Sequence, residues 1–200
     1  MAAAQPTGKA VIFSAPSGSG KTTIVRHLLE HVSHPMGFSV SATTRPQRGQ
    51  ERDGVDYHFL SLEDFKARVA ADAFVEWEEV YPGKCYGTLR SELDRMWAAG
   101  QTALFDVDVE GGVNLRRALG DAALSVFIRP PSLAVLRERL EGRGTDAPDV
   151  IEERLLKAER ELAYEGQFDV VLVNDDLATA CNRAVELVEA FIAPAETPAS

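Results

Sequence analysis

The chain has 200 residues, 45% hydrophobic and 26% charged, the make-up of an ordinary globular protein. Lys+Arg 21 against Asp+Glu 31 leaves a net charge of −10, which argues against non-specific binding to nucleic acid or to an anionic membrane. A chain of this size can bury roughly 70% of its unfolded surface as one compact domain, so it needs no disulfide or metal staple. Its two cysteines, Cys85 and Cys181, make neither a disulfide framework nor a zinc spacing. No apolar run reaches the ~20 residues of a spanning helix. Met1–Lys9 has no apolar signal core, and the expected compartment is a reducing cytoplasm.

Residues 1–8 and 194–200 are small and polar, and are expected to be flexible tails. Between them strand and helix patterns alternate, the signature of an α/β fold with a mainly parallel sheet. Lys9–Phe13 reads as a buried strand. Lys21–Val32 reads as a helix with Ile24, Val25, Leu28, Leu29 and Val32 on one face. Gly37–Ser41 is expected to be a second strand and Thr44–Asp56 a loop. Ser61-Leu-Glu-Asp64 opens a helix through Ala71. Strands at Ala73–Val80 and Cys85–Thr88 flank a turn at Pro82-Gly83, and a helix at Leu89–Ala99 stops at Gly100.

Thr102–Val109 is expected to be one buried strand, and Val126–Ile128 another, ended by Pro130-Pro131. Ser132 caps a following helix. Pro148–Glu165 is a long charged helix, Val170–Val173 a last strand and Leu177–Ile192 a last helix. The parallel core is thus 9–40, 91–130 and 165–193. It is interrupted by a β-rich insertion, 41–90, and a helical, arginine-rich one, 131–164.

Ala15-Pro16-Ser17-Gly18-Ser19-Gly20-Lys21-Thr22 follows a strand and opens a helix. That is the context of a loop that wraps backbone N–H groups around phosphate at a helix N-terminus. Lys21 then reaches the β/γ-phosphates and Thr22 ligates Mg²⁺. Ala15 stands where the strict pattern has glycine. A strand–turn–helix corner that uses glycine only for tightness is the plain alternative. It does not ask for Lys and Thr at the helix start.

In Leu104-Phe105-Asp106-Val107-Asp108-Val109 the aspartates are two apart, and one strand would put both on one face. Buried carboxylates need a cation or donors, and an apolar strand ending in Asp commonly supports the metal beside a phosphate loop. Alternatively, Asp108 only caps the next helix. Arg45 and Arg48 lie in the loop Thr43–Phe59; with Tyr57 they offer many donors to a phosphate dianion. Composition alone would make that stretch a solvated charged loop. Arg137, Arg139, Arg143 and Arg154 are interleaved with Glu138, Glu141, Glu152 and Glu153, as on any amphipathic surface. Arg143, however, sits between Gly142 and Gly144, as a mobile lid presenting a cation would.

Three stretches together resemble the guanylate kinase family: Ala15–Thr22, Thr43-Thr44-Arg45…Arg48…Glu51…Gly54…Tyr57-His58-Phe59, and Leu140-Glu141-Gly142-Arg143-Gly144-Thr145…Arg154. Val75-Glu76-Trp77, Tyr86-Gly87-Thr88, Asp106-Val107-Asp108 and Val173-Asn174-Asp175-Asp176 support it, and the likeness runs from about Lys9 to Ile192. It implies a phosphate-loop nucleoside monophosphate kinase fold, with 41–90 taking GMP and 131–164 acting as a lid. The expected activity is Mg²⁺-dependent transfer of the ATP γ-phosphoryl group to GMP or dGMP. By the same likeness, Ala15, Pro16, Ser17, Gly18, Ser19, Gly20, Lys21, Thr22, Thr23 and Asn174 bind ATP. Thr22 holds Mg²⁺ with water and Asp106 supports it indirectly. Ser41, Glu76 and Thr88 read guanine. Arg45, Arg48, Tyr57 and Tyr86 clamp the GMP phosphate, and Asp106 and Asp108 line that side. Lys21, Arg48, Arg143 and Arg154 are the catalytic cations.

The implied chemistry is coherent. Ionised Glu76 accepts from guanine N1–H and N2–H, a pattern adenine lacks. A GMP phosphate is already an anion at pH 7, so no general base is needed. The cations of the two insertions are expected to lack partners until their nucleotides arrive. Two other readings share the fold: a silent scaffold binding a phosphopeptide, and a kinase acting on another phosphorylated acceptor. A GTPase is a third, but no Asn-Lys-x-Asp motif occurs.

Overall fold

The computed structural model describes residues 8–193 except 143 and 145. The expected tails, apart from Gly8, and the lid residue Arg143 fall outside the described residues. In chain order the elements are β1 (Ala10–Ser14), α1 (Lys21–His31), β2 (Met36–Phe38), β3 (Ala42–Thr43), β4 (His58–Phe59) and α2 (Leu62–Ala70). There follow β5 (Phe74–Tyr81), β6 (Lys84–Leu89), α3 (Arg90–Ala98), β7 (Thr102–Asp106) and α4 (Val109–Leu119). The chain closes with β8 (Ala123–Arg129), α5 (Leu133–Gly142), α6 (Pro148–Leu162), β9 (Val170–Val173) and α7 (Leu177–Ile192).

Five parallel strands, in the order β2-β7-β1-β8-β9, form the central sheet. β1 is buried at every position, which is why its sequence is a continuous apolar run: a central parallel strand is covered on both faces. Alternate residues divide between two cores. Val11, Phe13 and Leu104 pack with Ile24, Val25 and Leu28 of α1 and Ala184 and Val188 of α7. Ala10, Ile12 and Phe105 pack on the other side with Leu93 and Met96 of α3 and Leu115 of α4.

A second sheet, ordered β4-β3-β6-β5, is built on the antiparallel β5–β6 pair. Its core is Phe65 from α2 with Phe74, Cys85 and Leu89, the two rings stacked at 4.4 Å. α5 and α6 form a hairpin around Leu136, Leu140, Ile151 and Leu155.

Three expected strands have different limits. β2 ends at Phe38, although Ser39 N–H still donates to the Leu104 carbonyl at 2.9 Å before the chain leaves the sheet. β8 is longer than Val126–Ile128, because Ser125 does not break it. The Ser125 N–H and hydroxyl both donate to the Asp169 carboxylate, at 2.8 and 2.7 Å.

The third difference matters most. β7 stops at Asp106, and Asp108 is the N-cap of α4, its Oδ1 accepting from Gly111 N–H at 2.8 Å. Asp106 and Asp108 therefore do not share a strand face, and Asp108 is exposed. Val107 and Val109 alternate like strand residues. Val109 instead pairs at helical spacing with Val113 against Phe127 and Phe168, and an aspartate cap three residues ahead of a free N–H sets the helix start.

The ends of the domain are tied together by Lys9. Its ammonium donates to the Phe191, Ile192 and Ala193 carbonyls at 2.7, 3.1 and 3.2 Å, while Trp97 Nε1–H donates to the Lys9 carbonyl at 3.0 Å. A cation on the last carbonyls of a helix satisfies groups with no intrahelical partner and opposes the helix dipole. Lys9→Met should lower the unfolding free energy by about 1–2 kcal/mol in urea titrations while leaving activity unchanged.

Candidate active site

The loop between β1 and α1 turns at Pro16, whose carbonyl accepts from Ser19 N–H at 3.1 Å. Gly18 and Gly20 have φ of +96° and +90°, a region costly for any residue with a Cβ. Space forbids a side chain as well. A Cβ on Gly20 would lie 2.4 Å from Asn174 Nδ2, and one on Gly18 2.9 Å from Leu136 Cδ1. Ala15 does not have a positive φ, so alanine serves at that position without strain.

Behind the loop stands Asn174, buried at the end of β9. Its Nδ2 donates to the Ser19 carbonyl at 2.8 Å, and Arg139 of α5 donates to the Asn174 carbonyl at 2.9 Å. Asn174 thus fixes the loop from the inside. Asn174 Oδ1 and Ser19 Oγ are buried without a partner among the described residues; buried polar atoms of this kind call for a ligand or water to complete the network.

Lys21, the first residue of α1, forms an ion pair with Asp106 Oδ1 at 2.6 Å. It also donates to the Val107 carbonyl at 2.5 Å. The expected loop residues Ala15–Thr23 line a cavity of about 430 Å³ together with Asp106, Val107 and Asp108. Two further residues on its wall, Lys157 and Glu161 of α6, are absent from the sequence expectations. Their Lys–Glu spacing looks like any amphipathic helix surface.

A second cavity of about 270 Å³ brings together Ser41, Tyr57, Glu76, Tyr86, Asp106 and Asp108, all of them expected on the acceptor side. The two cavities share Asp106, Val107 and Asp108, so they meet at the end of β7. Glu76 faces Thr88 across the β5–β6 pair. Thr88 is fully buried and its hydroxyl donates to Glu76 Oε1 at 2.9 Å; it holds Glu76 from behind. Burial pushes the Glu76 carboxyl up to about 7, the Asp108 charge adds to the rise, and the Thr88 hydroxyl opposes it. Glu78, two residues on, lines the same cavity. Its carboxyl is also raised to about 7, first by burial and then by the Asp108 and Glu110 charges.

The arginines differ from expectation. Arg45 is nearly fully buried and makes a bidentate pair with Glu51, at 2.7 and 2.6 Å. Its guanidinium lies 4.7 Å from the Tyr57 ring centroid. Glu51 raises the Arg45 pKa above its usual value, and Arg45 in turn holds Glu51 well below the carboxylate range. The Arg48 side chain is exposed, while its backbone N–H donates to Glu51 Oε2 at 2.8 Å. Glu51 is the hub of this loop, and its place six residues beyond Arg45 gave no local pairing signal.

Arg154 donates to Ser17 Oγ at 3.0 Å and pairs with Asp146 at 3.1 Å. The expectation that the cations of the two insertions wait unpaired is therefore wrong for Arg45 and Arg154, and Lys21 of the core is paired as well. Carboxylates from the same fold hold them, because an isolated half-buried cation is costly.

Comparison with known proteins agrees with this arrangement. The guanylate kinase family model matches residues 7–191. The chain is 51% identical over 184 residues to a guanylate kinase of Bacteroides fragilis, covering 92% of this chain and 90% of that one. It is 46% identical over 185 residues to a guanylate kinase of Porphyromonas gingivalis, covering 92% and 98%. The solved guanylate kinase from Anaplasma phagocytophilum superimposes with a TM-score of 0.69 at 26% identity, over 95% of this chain and 89% of that one. A glycine-bound phosphate loop, an acceptor cavity joined to it at the end of β7 and a match along nearly the whole length make this chain a member of the guanylate kinase family.

Proposed function

We propose that this chain transfers the γ-phosphoryl group of ATP to GMP, and to dGMP, giving ADP and the nucleoside diphosphate. What carries the reading is the junction at Asp106–Asp108, where a phosphate-loop cavity opens onto one containing an acidic base reader. The insertion 41–90 takes GMP, the hairpin within 131–164 covers ATP, and the remainder is the core that aligns them. Among the described residues no helix is long and apolar enough to cross a membrane; we place the enzyme in the cytoplasm.

In this reading Ala15–Thr23 bind the ATP phosphates, and Asn174 keeps their loop in shape. The Lys21 ammonium has three donors. Two are used on Asp106 and Val107, and the third serves the transferred group. Arg154, already at the loop through Ser17, stabilises charge there, and Arg143 joins it. Arg45, backed by Glu51, acts with Arg48, Tyr57 and Tyr86 on the GMP phosphate. Glu76 pairs with guanine N1–H and N2–H, and Ser41 donates to O6. The attacking atom is a GMP phosphate oxygen, ionised at neutral pH because its second pKa is about 6. No general base is therefore required, and the chain supplies alignment and charge.

Mg²⁺ beside a triphosphate takes phosphate oxygens and water and needs only one or two protein oxygens. Thr22, which carries a hydroxyl, and Asp106, which carries a carboxylate, both line the phosphate cavity, so the residues fit. When bound, the ion neutralises charge on the bridging phosphates.

An ADP-release assay with GMP, dGMP, AMP, CMP and UMP tests the reading directly; turnover with GMP and dGMP is expected, and equal turnover with AMP would defeat it. Lys21→Ala should cost about a hundred- to thousandfold in kcat, the usual loss of one preorganised electrostatic group. A folded variant with normal turnover would remove Lys21 from the reaction. Glu76→Gln should lower kcat/KM for GMP about 10²-fold and leave AMP unaffected, whereas Arg45→Ala should weaken both nucleotides alike.

The Glu76 carboxyl, raised to about 7, must lose its proton to accept from guanine. GMP affinity, measured relative to Glu76→Gln, should therefore fall as pH drops below 7, approaching about tenfold per unit. The same shift acts on folding. A carboxyl raised in the native state contributes stability below its unfolded value, and that contribution is lost as pH rises through about 7. Ligand-free Glu76→Gln should accordingly melt higher than wild type at pH 8, with the gap closing toward pH 4. A constant gap in melting temperature would contradict the assignment.

A further inference from the structure

We propose that Lys157 of α6 is a further phosphate-contacting residue of the reaction, placed by Glu161 where the phosphate cavity meets an adjoining cavity that holds Asp108 and Glu78. The proposal rests on the kinase reading above. Arg154, Lys157, Glu161 and Tyr164 follow one another at spacings of three and four, which puts them on one face of the segment. That face crosses the site from end to end. Arg154 reaches Ser17 of the phosphate loop at 3.0 Å. Lys157 and Glu161 line the phosphate cavity together with Asp106. The Tyr164 hydroxyl donates to Glu110 at 3.4 Å, at the start of α4.

Lys157 and Glu161 also line an adjoining cavity of about 420 Å³ that holds Asp108 and Glu78. Lys157 is therefore a cation where several carboxylates and the incoming phosphates converge. The Lys157 ammonium lies 3.5 Å from Glu161 Oε1; the Glu161 side chain is 13% exposed and that of Lys157 68%. So the carboxylate is the buried partner and the lysine the exposed one. Burial pushes the Glu161 carboxyl up, and the Lys157 and Lys21 charges pull it back while Asp108 opposes them. Glu161 is thus within electrostatic reach of both the loop lysine and the acceptor-side aspartate.

Helix stability does not explain the pair. Lys ahead of Glu at i,i+4 is the weaker orientation for stabilising a helix. An ammonium has three donors, of which Glu161 takes one. The others have no partner among the described residues and can meet a phosphate oxygen when nucleotide fills the cavity. Glu161 is then a positioning residue that acts through Lys157.

The test is steady-state kinetics on Lys157→Met, Lys157→Arg, Glu161→Gln and the Lys157→Met/Glu161→Gln double variant, with the wild-type enzyme run beside them. Lys157→Met should lower kcat about ten- to hundredfold, the loss of one charge-assisted contact, with an unchanged melting temperature. Lys157→Arg should keep most of the activity. Glu161→Gln should cost less, and the double variant should be no slower than Lys157→Met, because coupled groups are not additive. Wild-type kcat and wild-type KM for both nucleotides in Lys157→Met would overturn the proposal. Losses that multiply in the double variant would overturn the positioning role of Glu161. No turnover of GMP with ATP by the wild-type enzyme would instead strike the kinase reading itself.

Discussion

The Lys21–Asp106 ion pair, at 2.6 Å, is the constraint on which the site depends. It joins the first residue of the helix behind the phosphate loop to the last residue of β7. The same lysine bonds to the Val107 carbonyl, so the turn between β7 and α4 is held as well. Asp108 then caps α4 through Gly111, and Ser14 at the end of β1 donates to the Asp108 carbonyl at 2.9 Å. Two adjacent parallel strands thus end at the same level with their polar groups pinned to each other. Open α/β sheets bind ligands just beyond the carboxyl ends of their strands. Here that position is also where the two cavities meet.

A second consequence is that the site charges are arranged before any nucleotide arrives. Lys21 has Asp106, Arg45 has Glu51, Arg154 has Asp146 and Lys157 has Glu161. Each carboxylate fixes its cation at low reorganisation cost. Preorganised charge is the largest usual source of stabilisation for a developing transition state. It also explains how a chain of net charge −10 accepts polyanions: the mean field repels them, and locally oriented cations decide at contact range. Within a Debye length of about 8 Å the local pairs outweigh distant surface charge.

The sequence disclosed this site unevenly, and the reasons are physical. The phosphate loop is one contiguous stretch whose glycines are required by backbone angle and by Asn174 and Leu136 behind them, so it is legible as a string. The sheet core follows from apolar runs, and its strands lie where those runs lie. Asp108 misled because Val107 and Val109 alternate like strand residues, whereas the aspartate cap and the Val109–Val113 spacing decide the helix. The Glu76–Thr88 contact depends on the register of β5 on β6, with irregularities on either side, which no local pattern reveals. Glu51 was visible as a motif letter, but its bond to Arg45 comes from the loop folding back over six residues. Lys157 and Glu161 were hidden by ordinariness, since their spacing is that of any solvated helix face.

The acceptor cavity poses the sharpest energetic problem. Glu76, Glu78, Asp106 and Asp108 all line it, yet in the proposed function its ligand carries a phosphate dianion. Asp106 is neutralised by Lys21, and Asp108 is partly offset by the helix N-terminus it caps. Glu76 has no cation among its described hydrogen-bond partners, only the Thr88 hydroxyl. Burial and Asp108 raise its carboxyl to about 7, so uptake of a proton near neutrality offsets the cost of burying its charge. A base that offers two adjacent N–H donors offsets the same cost without protonation, because bonds to a carboxylate are roughly twice as strong as neutral ones. Adenine presents no such pair, and its entry leaves a half-buried carboxylate facing an acceptor. In the proposed function, selectivity for guanine follows from an electrostatic penalty on Glu76 that the fold sets up in advance and that guanine's edge removes.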